Sequence, residues 1–308
     1  MSMKTMFLPA LAIVLICAVS GCSSSAIENA GIKPSPIDSL HIFAPESISE
    51  MVNRVSVQSD GDVNGRVSNL VPNLAPARIP TDIASLDAKN RKNAFTMALL
   101  PHIVFQNVRI SEERSTLMSY LGYLTAKIGV PDSLRNNVQA IFKRYGYDIS
   151  NGKNSVDELA VTRLLRRVDV IPVSLALAQA AHESGWGTSR GALLKNNVFG
   201  KAGGSDNPLA AFPNIVESVW RYFMDINTHP AYSEFRSIRM AMREQGRELD
   251  PIRLAAGLSK YSVLGKDYVM DIVGLIRMNR LNRHDSSLLV PTDDTGYVMR
   301  TIYRNEDA

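Results

Sequence analysis

The sequence predicts a mostly helical protein, and two features of the chain after its first 87 residues support that class. From Ala88 onward, apolar residues recur at the three- to four-residue spacing that places them on one face of a helix. Glycines and prolines divide this region into segments of helical length, and any strands are expected to be short. Of the 308 residues, 45% are hydrophobic and 21% are charged. The chain can therefore bury a full core and is not disordered by composition.

The first 21 residues have the features of a bacterial export signal. Lys4 precedes an almost unbroken apolar stretch from Phe7 to Val19, which is shorter than the about 20 residues that span a bilayer. Small residues then lead to Cys22, a pattern that resembles the lipobox, in which the cysteine is acylated. The alternative is an ordinary secretory signal with a chance cysteine. We expect a lipid on Cys22 to anchor the protein in the cell envelope, at the periplasmic face of the outer membrane.

Charge and cysteine content narrow the possible partners. The chain has 34 basic and 30 acidic residues, and its net charge of +4 is spread thinly. This balance does not favour nucleic acid, although it suits an anionic wall polymer. Cys17 would leave with the signal and Cys22 would be acylated, so no thiol remains for a disulfide or a metal cluster. We expect no cofactor.

Composition also divides the chain into segments. Residues 22–83 are rich in Ser, Pro, Asn, Asp and Gly and predict a flexible tether, with one short helix near Ile48–Val55. The remaining segments are a helical extension at 84–150, the main helical domain at 151–283 and a polar tail without a motif at 284–308.

The main domain contains the helix of greatest interest. Ser155 and Glu158 form a capping-box pattern ahead of one helix, and Pro172 suits the first position of the next. Small apolar residues make the second helix fit for close packing, and Gly185 is expected to end it. Glu183 therefore lies on the last turn of a buried helix.

A carboxyl group at this position has a chemical use. Burial against Trp186 would raise the pKa of Glu183, so that the side chain could hold a proton and donate it to a leaving sugar oxygen. The alternative is a surface glutamate beside a packed tryptophan, and position alone does not distinguish the two.

A resemblance favours the chemical interpretation. The segments AQAAHESGWGTS at 178–189 and NNVFGKA at 196–202 resemble the signature of the bacterial β-N-acetylglucosaminidase family, which includes the muralytic domain of the flagellar rod-cap protein. The segments RRVDVIP at 166–172 and NTHPAY at 227–232 resemble its Bax-like branch. The likeness extends roughly from Val71 to Arg283.

The resemblance implies a lysozyme-like helical fold and an endo-β-N-acetylglucosaminidase that cleaves the β-1,4 bond after N-acetylglucosamine in peptidoglycan. Glu183 matches the general acid of the family. Trp186, Asn197 and Phe199 match positions that shape the cleft, and Tyr261 matches a tyrosine that lines the sugar site. Core packing is the alternative for each aromatic side chain, and it is favoured for Phe199 but not for Tyr261.

The sequence departs from the family at one place. The flagellar relatives have a β-hairpin that supplies a second carboxylate, whereas only Lys201 to Pro213 fills that gap here. Asp206 is the only acid in the shortened loop, and Glu217, just beyond it, fits the first turn of a helix better. The second role falls to Asp206, to Glu217 or to no protein group, with the N-acetyl group of the substrate assisting. We favour an enzyme with a single acid.

Two other functions were weighed. A zinc protease would need a second histidine four residues after His182, where Trp186 stands, so we expect no metal and place His182 on a different helix face from Glu183. The stronger rival is a lipid-tethered peptidoglycan-binding protein that has lost catalysis together with the hairpin.

Overall fold

Helices make up most of the computed structural model, which describes residues 40–55, 58–63, 66–147, 156–203 and 209–290. The predicted helical class is confirmed. The helices are α1 (Ile48–Arg54), α2 (Ala88–Thr125), α3 (Asp132–Arg144), α4 (Glu158–Leu165), α5 (Val173–Ser184), α6 (Arg190–Lys195), α7 (Ile215–Thr228), α8 (Ser233–Glu244), α9 (Pro251–Ala255) and α10 (Lys266–Met278). Short 3₁₀ turns cover Thr81–Ser85, Pro230–Tyr232, Ala256–Leu258 and Leu281–His284.

Short strands form two small sheets. Their bounds are β1 (His41–Phe43), β2 (Gln58–Val63), β3 (Arg66–Pro72), β4 (Leu74–Pro76) and β5 (Leu288–Val290). Strands β1 and β4 pair in parallel, whereas β3 pairs antiparallel with β2 and parallel with β5. The second sheet thus joins the C-terminal end of the described chain to its N-terminal part.

Helix α2 runs through the core. Asp87 caps it by accepting hydrogen bonds from the Lys89 and Asn90 amides. Pro101 lies inside the helix, where a proline removes one hydrogen bond and costs about 3 kcal/mol. The neighbouring Leu99 and Leu100 are fully buried, and this burial offsets the cost, so the helix continues through the proline.

The predicted tether differs from the structure over residues 40–83. Met51, Val55, Val71 and Ile83 are all fully buried there, so the described part of this segment belongs to the folded body. Its apolar residues occur in short runs that give no sustained helical or strand period, and they are buried only by contact with distant residues. Residues 22–39 lie outside the described part.

Buried charges hold the turn that leads into α5. The Asp169 carboxylate accepts from Arg243 at 2.9 Å, and the Asp169 carbonyl accepts from Arg239 at 2.9 Å. Arg114 of α2 donates to the Val168 carbonyl, also at 2.9 Å. Burial alone would raise the pKa of Asp169, but these arginines hold it below its usual range. The start of α5 is therefore fixed from two other helices.

The polar tail also reaches α5. Asp285 accepts from both the Ser174 amide and the Ser174 hydroxyl at 2.8 Å. It serves the helix start that Pro172 leaves without a side-chain cap. The prediction of a tail from residue 284 is therefore wrong for residues 285–290, which cap α5 and form β5.

None of the helices in the described part of the chain combines the length and the apolar character needed to cross a membrane.

Candidate active site

Glu183 lies on the last turn of α5, as the sequence predicts. Every residue of this helix from Val173 to Ala181 is buried. Gly185 ends the helix with φ 57°, in the left-handed region that glycine adopts without strain. The Glu183 side chain is 22% exposed, so a buried helix presents one carboxyl group at the surface of the core.

The environment of Glu183 favours the protonated form. Loss of solvent raises the pKa of Glu183 above its usual value, while the charges of His182 and Lys201 and a hydrogen bond from Tyr268 oppose the rise. The raised pKa agrees with the sequence-based prediction. A carboxyl group with a raised pKa can keep a proton at a pH where an exposed glutamate has lost it.

Trp186 lies in a different setting from the one predicted. Its ring packs edge-on against Phe95 at 5.7 Å between centroids, and the Lys92 ammonium lies 5.2 Å from its centre. Both partners belong to α2. These contacts pack the half-buried indole against the core, and a contact between Trp186 and a sugar stays a prediction.

A chain of hydrogen bonds supports the Glu183 carboxyl group. Tyr222 donates to the Gln179 side-chain oxygen at 2.7 Å, and the Gln179 side-chain nitrogen donates to the Tyr268 hydroxyl at 2.9 Å. The Tyr268 oxygen therefore accepts from Gln179, which leaves its single proton for the hydrogen bond to Glu183. Gln179 precedes Glu183 by four residues and so lies on the same helix face.

Aromatic rings surround this chain of hydrogen bonds. Phe199 stacks on Tyr222 with 3.9 Å between ring centres, and Tyr261 stacks on Tyr268 at 5.4 Å. The Tyr261 hydroxyl donates to the Phe199 carbonyl at 3.0 Å. Phe199 is only 1% exposed, which confirms core packing for this ring. Tyr261 is half-buried and keeps a surface that a ligand could contact.

Gly200 forms the closest backbone approach to Glu183. A Cβ atom added at Gly200 would lie 2.7 Å from the Glu183 Oε2 atom, and the backbone there has φ +63°. Both facts require glycine. The next residue, Lys201, pairs with Asp225 at 2.6 Å, and its ammonium lies 5.6 Å from the centre of the Tyr261 ring. The site thus includes a cation that already has a carboxylate partner.

Asn197 holds the loop that follows it. Its side-chain nitrogen donates to the carbonyls of Lys201 and Ala210 at 2.8 and 3.0 Å, and its side-chain oxygen accepts from the Lys201 amide at 2.9 Å. These three bonds close the neck of the loop. A direct contact between Asn197 and the substrate stays a prediction.

The candidates for a second carboxylate are not brought to Glu183 in the described residues. Asp206 lies within residues 204–208, outside the described part, as does the predicted lipidation site Cys22. Glu217 is exposed on the first turn of α7, where its amide donates to the Asn214 cap at 3.0 Å. The expectation that Glu217 belongs to a helix start is confirmed.

Several neighbours of Glu183 were not predicted from the sequence. Gln179, Tyr222 and Tyr268 were assigned no role, although the spacing of Gln179 from Glu183 was a signal for one of them. His182 was expected on a different helix face from Glu183, and that expectation did not include a contact between the two side chains. Its Nδ1 atom lies 3.8 Å from Glu183 Oε1, and its Nε2 atom lies 3.4 Å from a carboxylate oxygen of Asp271. Adjacent helix residues point in different directions, but both long side chains bend toward α10.

Across the described residues, no three or more His, Cys, Asp and Glu side chains are grouped in a way that could hold a metal ion.

Comparison with known proteins assigns the part of the chain that contains this site to a family. Residues 159–281 match the glucosaminidase family model, described as mannosyl-glycoprotein endo-beta-N-acetylglucosaminidase. The matched range contains Glu183 and all its neighbours named above. The family describes glycoside hydrolases.

A curated relative extends the similarity beyond the matched domain. Protein bax of Escherichia coli (strain K12) is 36% identical over 189 residues, which cover 58% of this chain and 66% of the relative. The chain therefore spans just under two thirds of that protein. No solved structure matches significantly. Residues 159–281 are a glucosaminidase-family domain, and the chain is a Bax-like member of that family.

Proposed function

We propose that this chain hydrolyses the glycan strands of peptidoglycan at the β-1,4 bond after N-acetylglucosamine, with Glu183 as the general acid. The observation that carries the proposal is the Glu183 carboxyl group itself. It is largely buried, its pKa is raised, and the Tyr268 hydroxyl orients it. General-acid catalysis requires a positioned proton donor whose pKa lies near the working pH.

Features of the protein other than Glu183 support peptidoglycan as the substrate. The family model is named for glycoprotein glycans, which share N-acetylglucosamine with the bacterial wall. Residues 1–22 predict export and a lipid anchor, and the relative with the matching sequence is bacterial. The mild positive charge suits an anionic wall. An exported bacterial glucosaminidase meets peptidoglycan as its abundant substrate.

A single protein acid is enough for the reaction. The N-acetyl carbonyl oxygen of the substrate bonds to C1 while the C1–oxygen bond to the leaving sugar breaks, and that oxygen takes the proton of Glu183. Water then attacks C1, its proton passes to the Glu183 carboxylate, and the bond from C1 to the N-acetyl oxygen breaks. The Asp225 carboxylate is already paired with Lys201 and Arg221, so the reaction is written without it.

The half-buried Tyr261 ring and the Lys201 ammonium supply the substrate contacts in this proposal. An aromatic face stacks on a sugar ring, and a cation donates to hydroxyl or carbonyl oxygens. Trp186, Asn197 and Phe199 act through the shape of the wall and the loop. Asp206→Asn should retain activity, whereas a loss as complete as that of Glu183→Gln would rule out the single-acid version.

The proposed location is the periplasmic face of the outer membrane, through acylated Cys22. Several acyl chains hold a protein at a membrane because each buried methylene contributes about 0.8 kcal/mol. Wild-type protein should incorporate labelled palmitate and sediment with outer membranes, and Cys22→Ser should do neither. Equal fractionation of the two proteins would refute the anchor and leave the hydrolase proposal untouched.

Mass spectrometry of released fragments tests the reaction. The purified full chain is incubated with peptidoglycan, and the fragments are reduced with borohydride. We expect reduced N-acetylglucosamine ends from the wild type and none from Glu183→Gln. Glu217→Gln, which removes an exposed acid in the same way, is the matched control and should behave as the wild type. Reduced N-acetylmuramic acid ends would move the cut to the neighbouring bond.

The second candidate function is a tethered wall-binding protein, which the short loop from Lys201 to Pro213 favours. Such a protein would sediment with peptidoglycan and release no fragments, in the wild type as in Glu183→Gln. A raised pKa on an oriented carboxyl group has no use in that function.

A further inference from the structure

His182 lies between two carboxyl groups. Its Nδ1 atom is 3.8 Å from Glu183 Oε1, and its Nε2 atom is 3.4 Å from Asp271 Oδ2. The two nitrogens lie on opposite sides of the imidazole ring, so the ring bridges the acid of the site and a second carboxylate on α10. The His182 and Asp271 side chains are 28% and 56% exposed, which gives the pair contact with solvent that Glu183 largely lacks.

Packing between α5 and α10 fixes this arrangement. The Tyr268 ring meets the His182 ring edge to face, with 5.1 Å between centres and an angle of 79°. Tyr268 and Asp271 are three residues apart on α10 and therefore lie on one face of that helix. The same face gives Glu183 a hydroxyl donor and His182 a carboxylate.

Among the groups around Glu183, His182 has the strongest lowering effect on the pKa of that carboxyl group. Burial raises the pKa of Glu183, and the charge of His182 is the largest of the influences that lower it, ahead of the Tyr268 hydrogen bond and Lys201. Lys201 is paired with Asp225, and this pairing reduces the effect of the Lys201 charge on Glu183. The Glu183 carboxyl group in turn acts on Tyr232 and Tyr261, whose pKa values are raised chiefly by burial.

We propose that His182, oriented by Asp271, is a positioning residue that sets the upper end of the pH range in which Glu183 acts as an acid. This inference rests on the proposed hydrolase function. A proton on His182 stabilises the carboxylate that Glu183 becomes when it donates its own proton. Without that charge, Glu183 holds its proton to a higher pH.

The test compares the pH dependence of fragment release by the full chain. The upper limb of the pH–activity profile is the range in which activity falls as the pH rises. In His182→Gln and His182→Asn, this limb should move to higher pH by about one unit, the smallest shift expected for a charge within 4–6 Å. Asp271→Asn should move the limb in the wild type and have little effect in the His182→Gln background, because its carboxylate acts through the ring. Asp267→Asn, an exposed acid one turn earlier on α10, is the control and should leave the limb in place.

Two results would overturn the inference: an upper limb that coincides in wild type and both His182 variants, or an Asp271→Asn effect equal in both backgrounds. A readout without substrate separates this failure from failure of the hydrolase proposal. The Glu183 carboxyl carbon, assigned in NMR spectra by its loss in Glu183→Gln, should titrate about one pH unit higher in His182→Gln. An unshifted titration refutes the role of His182, whereas a shifted titration in a protein without Glu183-dependent release refutes only the hydrolase function.

Discussion

Substitution of Gly200 by alanine should inactivate the protein with only a moderate loss of stability. The new Cβ atom would lie 2.7 Å from Glu183 Oε2, whereas ordinary contacts begin at 3.4 Å, so the carboxyl group must move by about 0.7 Å. A misplacement of about 1 Å can cost 10²-fold in rate. We expect Gly200→Ala to lower kcat by roughly 30- to 100-fold, because the displaced carboxyl group leaves the Tyr268 hydroxyl.

Gly246→Ala is the matched control. Gly246 has the same φ of +63°, and a Cβ atom there would meet nothing within 4 Å. Both substitutions place alanine in the left-handed region and should lower the free energy of unfolding by about 1–2 kcal/mol. Only Gly200→Ala should lose activity in the fragment-release assay. Wild-type activity in Gly200→Ala, or an equal loss in both variants, would refute the view that Gly200 makes room for Glu183.

Three further predictions concern stability, each measured by urea unfolding. Glu183→Gln should be inactive yet more stable than wild type near pH 8, because the folded state no longer holds a charge with a raised pKa; an equal or lower midpoint would contradict this. Burial lowers the pKa of His102 and of His284 to about 4, so the unfolded state binds more protons and stability should fall by about 3 kcal/mol per histidine from pH 6.5 to pH 4. His102→Gln should remove half of that slope. Burial raises the pKa of Asp285 to about 6, so the contribution of this one group to stability should fall as pH rises from about 4 to 6, opposite in sign to that of the histidines. Asp285→Asn should remove this contribution, and an unchanged pH dependence in that variant would contradict the prediction.

Local patterns predicted much of the fold near the site. The short helix predicted near Ile48–Val55 appears as α1, which ends one residue earlier at Arg54. The prediction that Gly185 ends the helix of Glu183 is confirmed. These features depend on residues within one turn of each other, which is the range that a sequence pattern describes.

Some local predictions were wrong because another local group competed. The cap of α4 is Asp157, whose side chain accepts from the Ala160 amide at 2.8 Å. The capping box predicted from Ser155 placed the start of the helix two residues too early, and Ser155 lies outside the described residues. Either oxygen-bearing side chain can satisfy a free amide at a helix start, so spacing alone does not choose between them.

The surroundings of Glu183 depend on contacts between distant residues. Tyr268 and Asp271 follow Glu183 by more than 80 positions. Tyr268 reaches Glu183 and Asp271 reaches His182 because α10 packs on α5. The chain of hydrogen bonds from Tyr222 through Gln179 forms only when α5, α7 and α10 pack together. Sequence spacing predicts neither case, because each hydrogen bond joins two helices that are far apart along the chain, and their distance in sequence does not show that they pack together.

The sequence alone determined the helical class, the position of Glu183 at a helix end and the family resemblance, because these follow from short-range periodicity, caps and a contiguous motif. Tertiary structure decided the rest. It turned the described residues between 40 and 83 from a predicted tether into packed structure, carried α2 through Pro101 and brought Asp285 to the start of α5. The physical reason is shared: burial and hydrogen bonding to distant residues outweigh local preferences of about 1–3 kcal/mol, and only the folded chain supplies those partners.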